Sequence, residues 1–249
     1  VNVVLSLFPG LDRFGRAFED EGFCVVRGPD IILGSDIRSF KVPRGSFPII
    51  IGSPPCKPHS SAACGSNNDA DLTPEFERII DEGRPLVFVC ENVPQAPTPK
   101  VNGYATKSYV LDSHQYGANQ HRERQFTFGF RDYTPLTSFP FVPEGPLPRR
   151  LRTPDPFPTV LAAEGKYPAS FTAGHKLGRM LTLLEVAELM GFPELAEAWC
   201  FLPRGKSKRK VYRKEFEYEL FGNGVERRVG RVIARAVRRG LERIQEATA

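Results

Sequence analysis

The apolar residues of this chain fall into short runs, each closed by glycine, proline or a polar turn. Val1 to Leu7 reads as a buried strand that runs into Pro9-Gly10 and then a helical stretch with Phe14, Ala17 and Phe18 on one face. After Gly22 the run FCVV predicts a second strand, and PIII at 48–51 a third that delivers GSPPC from its carboxyl end. Thr73-Pro74 offers an N-cap and a first-turn proline for a helix to about Glu82. LVFVC at 86–90 is a continuous apolar strand of the kind buried on both faces, and it ends in Glu91-Asn92-Val93. QFTFGF at 125–130 alternates like a further strand.

From residue 131 to 179 prolines crowd in, periodicity fades, and Gly and Arg recur, so this stretch reads as a small loop-rich insert between a core at 1–130 and a closing segment at 180–249. Thr182 and Glu185 form a capping-box pattern for a helix that stops at Gly191-Phe192-Pro193. The closing helix places Val225, Val229, Val232, Ile233, Ala236, Val237, Leu241 and Ile244 on one face and arginines on the other. Short strands alternating with helices imply an α/β doubly wound sheet, whose ligand sites lie beyond the strand carboxyl ends. Cys56 and Glu91 both fall at such ends.

Composition narrows the setting. With 249 residues, 41% hydrophobic and 25% charged, the chain suits one large domain with a small appendage. A formal charge of +5 favours a polyanionic partner. Five cysteines, an odd number without paired spacing, argue against a disulfide framework and for a reducing, cytoplasmic setting. No apolar run approaches the roughly 18 residues of a membrane span, and the N-terminal residues do not read as an export signal.

The sharpest local question is GSPPCKPHS at 52–60, where two prolines lead into one cysteine. A buried thiol is one reading. Cys56, His59 and Cys64 have metal-ligand types at close spacing, but a second pair of ligands is lacking and a metal site is not expected. Gly205-Lys206-Ser207 fails as a phosphate loop, because Cys200 stands where that motif needs glycine. Phe8-Pro9-Gly10 is a glycine turn rather than a full dinucleotide fingerprint.

The order of the pieces raises the signal. Phe8-Pro9-Gly10, Pro54-Pro55-Cys56, Glu91-Asn92-Val93, Gln120-x-Arg122-x-Arg124 and Phe221-Gly222-Asn223-Gly224-Val225 follow one another along the chain. In this ordered set the sequence resembles the DNA (cytosine-5) methyltransferase family, over nearly its whole length apart from the insert. The resemblance implies a Rossmann-like S-adenosylmethionine-dependent methyltransferase sheet, with 1–130 as catalytic and cofactor-binding core, 131–179 as a small target-recognition insert and 180–249 completing the catalytic domain.

The resemblance also implies roles. Cys56 is the nucleophile that adds to cytosine C6, because C5 is otherwise unreactive, and Glu91 is the acid at N3. Arg124 holds the cytosine O2, with Arg122 supporting the site. The base is flipped out of the duplex, and the loop from Lys57 to Asp71, including Ser60 and Ser61, closes over it. For S-adenosylmethionine, Phe8 packs on the adenine side, the Gly10-Leu11 turn approaches the methionine part, Asp30 takes the ribose hydroxyls, and Asp36 meets the adenine amino group. Pro54, Asn223 and Val225 complete that pocket.

Several positions depart from the family pattern: Lys57 and His59 flank the cysteine, Asp12-Arg13 replaces two glycines, and Pro29 stands where an acid is common. Lys206, Lys208, Arg209 and Lys210 form a basic run suited to phosphate contacts, and Arg152 with Arg149 and Arg150 are candidates for reading bases. Duplex DNA is the expected partner, a cognate restriction endonuclease an optional one, and a monomer the expected state. A non-catalytic DNA-binding relative and an RNA cytosine-5 methyltransferase remain as alternatives.

Overall fold

A computed structural model describes residues 3–55, 71–131, 138–161, 173–200, 218 and 220–248, with side chains of 197–200 and 248 excepted. Its strands are β1 (Val3–Leu7), β2 (Cys24–Arg27), β3 (Ile49–Gly52), β4 (Val87–Asn92), β5 (Tyr104–Asp112) and β6 (Glu123–Arg131). They form one sheet in the order β2-β1-β3-β4-β6-β5. β1 to β4 are mutually parallel where they pair, and β6 runs antiparallel to β4. The apolar runs that predict β3 and β4 are wholly buried, as a strand covered on both faces must be.

Helices α1 (Arg13–Glu19) and α2 (Thr73–Gly83) cover opposite faces. Phe76 of α2 meets Phe88 edge-on at 5.8 Å, whereas Phe14 of α1 meets Phe126 at 6.0 Å. Phe88 pairs with Gly129 and Phe126 with Glu91, and the strand period of two then sets the two phenylalanines on opposite sides. The expected cap of α2 is corrected: Leu72 is the N-cap, Thr73 is already helical, and the Thr73 N–H donates to Asp71 Oδ1 at 2.9 Å. A proline in the first turn still starts the helix, since its missing N–H has no intrahelical acceptor there.

The chain divides into two compact units that do not follow chain order. The first comprises Val1–Leu111, Glu123–Gly145 and Gly230–Ala249, and the second Asp112–Arg122 and Pro146–Val229. In the first, Phe141 stacks on Phe128 at 6.1 Å and meets Phe130 edge-on at 5.6 Å. The last helix, α5 (Arg227–Thr248; α3 is Leu183–Leu189 and α4 Pro193–Cys200), buries Val229, Val232, Ile233, Ala236 and Val237; Val225 precedes it rather than lying on its face. Its arginines are not merely solvated: Arg231 and Arg235 pair with Glu21, and Arg235 and Arg239 grip Glu144.

In the second unit, α3 (Leu183–Leu189) carries the expected capping box between Thr182 and Glu185. It ends at Gly191, whose φ of +80° suits a residue without Cβ. A further helix, α4 (Pro193–Cys200), follows at once. Between residues 146 and 179 the described segments hold only short 3-10 turns and one bridge, Gln120 to Phe157. No helix among the described residues is long and apolar enough to cross a membrane.

Candidate active site

Strand order reverses at β1, with β2 on one side and β3 on the other, and such a switch point opens a crevice at the strand carboxyl ends. The FPGLD turn leaves β1 there with three residues at positive φ: Phe8 (54°), Gly10 (53°) and Asp12 (52°). A non-glycine residue in that region costs energy, and such strain gathers at functional turns. Asp12 supports it from within: its buried carboxylate accepts from Ser6 Oγ at 2.7 Å, caps α1 through Gly15 N–H at 3.2 Å, and pairs with Arg27 at 2.9 Å. Burial pushes its carboxyl up, against the pull of Ser6 and Arg27. Aspartate tolerates the left-handed region, which explains how it stands where glycine is usual.

Around this turn the predicted cofactor residues take definite places. Phe8 is half-buried against the cluster of Leu5, Leu7 and Phe76. Gly10 donates its N–H to Asp30 Oδ2 at 2.8 Å, and among the described residues, its two chain neighbours aside, no heavy atom lies within 4 Å of where its Cβ would stand. Asp30, just past β2, also accepts from Ile32 N–H at 2.9 Å. Leu11 is half-buried. Asp36 is exposed and caps its own turn through Arg38 N–H, which with the Arg38 guanidinium holds its carboxyl below the usual range.

β3 delivers Ser53, Pro54 and Pro55 to the same end of the sheet. Pro54 is buried, and Ser53 Oγ is buried with no hydrogen-bond partner among the described residues. Cys56, Lys57, Ser60 and Ser61 lie outside the described residues, as do Lys206, Lys208, Arg209 and Lys210.

Next to β3, β4 carries Glu91 one residue before its end, and Glu91 is 4% exposed. Arg124 Nε lies 3.2 Å from its Oε1. The register makes this pair: Glu91 faces Phe126, and Arg124, two residues before, projects from the same side of β6. A one-residue slip would send the two groups to opposite faces. Arg13, buried at the start of α1, adds a second cation to this neighbourhood. Burial pushes its guanidinium down to about 9, while the Glu91 carboxylate favours its charged form. Sequence reasoning missed Arg13; its replacement of a glycine was the available signal. Cys90 beside Glu91 is a poor nucleophile, since burial and then Glu91 push its thiol well up.

Arg122 takes a different position from Arg124. It is 1% exposed in the second unit and donates through Nη1 to Val160 O at 2.8 Å and through Nη2 to Gly222 O at 3.1 Å and Gly224 O at 2.9 Å. Two of its three guanidinium nitrogens thus donate to backbone carbonyls of its own unit. Gln120 completes the clamp, accepting from Val160 N–H at 3.2 Å and donating to Leu189 O at 2.6 Å. Asn223 is exposed and Val225 buried. Arg152 is half-buried, with Nε on Leu147 O at 2.8 Å, while Arg149 and Arg150 are exposed. Among the described residues no group of His, Cys, Asp and Glu could hold a metal ion.

A mixed sheet with strained turns and a buried Glu–Arg pair at its carboxyl edge defines an α/β protein with a candidate ligand site at the switch point. The model of the C-5 cytosine-specific DNA methylase family matches residues 30–155. The chain belongs to that family. It is 25% identical over 168 residues to the Type II methyltransferase M.AgeI of Thalassovita gelatinovora, covering 51% of this chain and 39% of the relative. With the Type II methyltransferase M.FnuDI of Fusobacterium nucleatum it shares 29% over 173 residues, 55% of this chain and 49% of the relative. The chain thus spans less than half the length of these relatives. The fold is also that of the methyltransferase EhMeth of Entamoeba histolytica, at a TM-score of 0.64 and 14% identity over 97% of this chain and 98% of the other. The S. pombe Dnmt2 methyltransferase has a TM-score of 0.62 and 14% identity, over 96% and 99%.

Proposed function

We propose that this chain acts as a DNA (cytosine-5) methyltransferase, moving a methyl group from S-adenosylmethionine to C5 of a cytosine flipped out of duplex DNA. The observation that carries the reading is the buried Glu91–Arg124 pair beside the strand that leads into Cys56. The switch-point groups suit the cofactor's chemistry. Among the described residues nothing crowds Gly10, Asp30 offers a carboxylate just past β2, and the buried Ser53 hydroxyl has no partner, which a ligand would supply. Phe8, Leu11, Pro54 and Asp36 would line the same binding site. When bound, S-adenosylmethionine supplies an electrophilic methyl group.

The residues of the chain do the remaining work. Cys56 adds as thiolate to C6, and Glu91 delivers a proton toward N3, so that the ring becomes an enamine with a nucleophilic C5. Arg124 steadies Glu91 and holds O2 of the base. Expulsion of Cys56 after loss of the C5 proton restores aromaticity. Lys57, Ser60 and Ser61 would close on the DNA, and Lys206, Lys208, Arg209, Lys210 and Arg152 would meet its backbone, making binding salt-sensitive. A restriction endonuclease of the same specificity is a candidate companion.

Bisulfite sequencing of plasmid DNA from a host without cytosine methylation tests the reading. Protected cytosines in one recurrent context with the wild-type chain, absent with Cys56→Ser, are expected. A folded wild-type protein that labels only RNA, or nothing, would overturn it.

A further inference from the structure

Phe8, Gly10 and Asp12 all sit in the left-handed region after β1, and only one of the three is glycine. Left to itself such a segment relaxes toward the right-handed or extended regions, so something must hold it. Asp12 is where it is held. Its N–H donates to Pro9 O at 2.5 Å, closing the turn, and its carbonyl accepts from Arg16 N–H at 2.8 Å, starting α1. Its carboxylate ties three elements together. Oδ1 accepts from Ser6 Oγ on β1 and from Gly15 N–H in α1, while Oδ2 faces Arg27 Nε at 2.9 Å. Gly15 leaves room for this, since a Cβ there would lie 2.4 Å from either carboxylate oxygen.

Arg27, the last residue of β2, pairs with Ser6 in the parallel register, which sets both side chains on one face of the sheet. Asp12 Oδ2 is buried and accepts no hydrogen bond among the described residues, so the charge of Arg27 is what compensates its burial. The other arm of the guanidinium goes outward, Nη2 to Glu19 Oε1 at 2.9 Å. We propose that Arg27 is a positioning residue for the cofactor turn. Through Asp12 it keeps the Phe8–Asp12 backbone left-handed before a ligand arrives, and so sets S-adenosylmethionine affinity without touching the cofactor. The inference rests on the reading of the Gly10 turn as part of the cofactor site, and every residue in it belongs to the first unit. It also gives a role to the aspartate that stands where the family has glycine: a glycine would adopt the conformation, whereas an aspartate with its arginine keeps it.

Calorimetric titration of the full chain with S-adenosylmethionine, beside steady-state kinetics, tests the proposal. Arg27→Gln is expected to raise the cofactor Kd about five- to tenfold, as follows when the competent turn falls to roughly 10–20% of molecules. Arg27 lies on the edge strand β2 and is 40% exposed, so this variant is expected to fold. Its kcat at saturating cofactor should stay within about twofold, the pattern of lost ground-state binding. Asp12→Asn keeps an oxygen for Ser6 and Gly15 but loses the charge, and should do the same. The double variant should bind little worse than either single one, because both act through one ion pair. Glu19→Gln removes only the outward arm and should leave Kd within about twofold. Unchanged binding in a folded Arg27→Gln, additive losses in the double variant, or an equal loss in Glu19→Gln overturns the positioning role. Failure of the wild-type chain to bind S-adenosylmethionine overturns the reading of the turn beneath it.

Discussion

Glu226 offers a test of how burial competes with a helix N-terminus. Its Oε2 accepts from Arg228 N–H at 2.9 Å and Val229 N–H at 3.2 Å, capping the start of α5. The residue is 1% exposed, and burial pushes its carboxyl up to about 7, outweighing those N–H groups and the Arg228 guanidinium. Between the ordinary value of 4.5 and about 7, the folded chain keeps a proton that the unfolded chain has released. Stability therefore falls as pH rises through this window, by about 3 kcal/mol in all at roughly 1.4 kcal/mol per pH unit. Glu226→Gln keeps an oxygen acceptor for the two N–H groups and cannot ionise. Its stability should match wild type near about pH 5 and exceed it by up to about 3 kcal/mol at about pH 8, on the order of 5–10 °C in Tm for a chain of this length. Urea melts of both proteins across that range give the answer, since every other titration cancels in the difference. Parallel curves, or a variant less stable than wild type at alkaline pH, would refute the reasoning and show that the charge on the helix outweighs its desolvation.

Two further predictions follow from side-chain geometry. Glu91→Gln should lower kcat by about 10²- to 10⁴-fold with S-adenosylmethionine affinity within about twofold, checked by single-turnover methyl transfer. Gly129→Ala would place a Cβ 2.0 Å from the Phe88 ring, so it should destabilise by roughly 3 kcal/mol, at the upper end of overpacking costs, with part of the loss recovered on adding Phe88→Leu.

The strands most legible in the sequence are those with both faces covered: Ile49–Gly52 and Val87–Asn92 have no reason to carry polar residues until they reach the site. β5 escaped notice because YATKSYVLD lies at the sheet edge, and its three consecutive exposed residues Thr106, Lys107 and Ser108 break the alternation. α4 escaped because Pro193, read as the stop of one helix, is the start of the next. Within the site, Glu91 and Arg124 were legible as motif residues, but their meeting depends on an antiparallel register that only the folded sheet displays. Arg122 shows the limit most clearly. The carbonyls that decide its role lie 38, 100 and 102 residues away, and no local pattern in Gln120 to Arg124 points to them.

The interleaving of the two units bears on how the chain is made. The first unit draws on three separated stretches, the last beginning at Gly230, and the ribosome must deliver everything between before that stretch emerges. Glu21 waits about 210 residues for its partners Arg231 and Arg235. Until then Glu21 lacks Arg231 and Arg235, and the core lacks the buried Val232, Ile233 and Ala236. Long-range closure of this kind slows folding and prolongs the life of sticky intermediates. A nascent chain halted before residue 230 should therefore remain protease-sensitive and bound by chaperones.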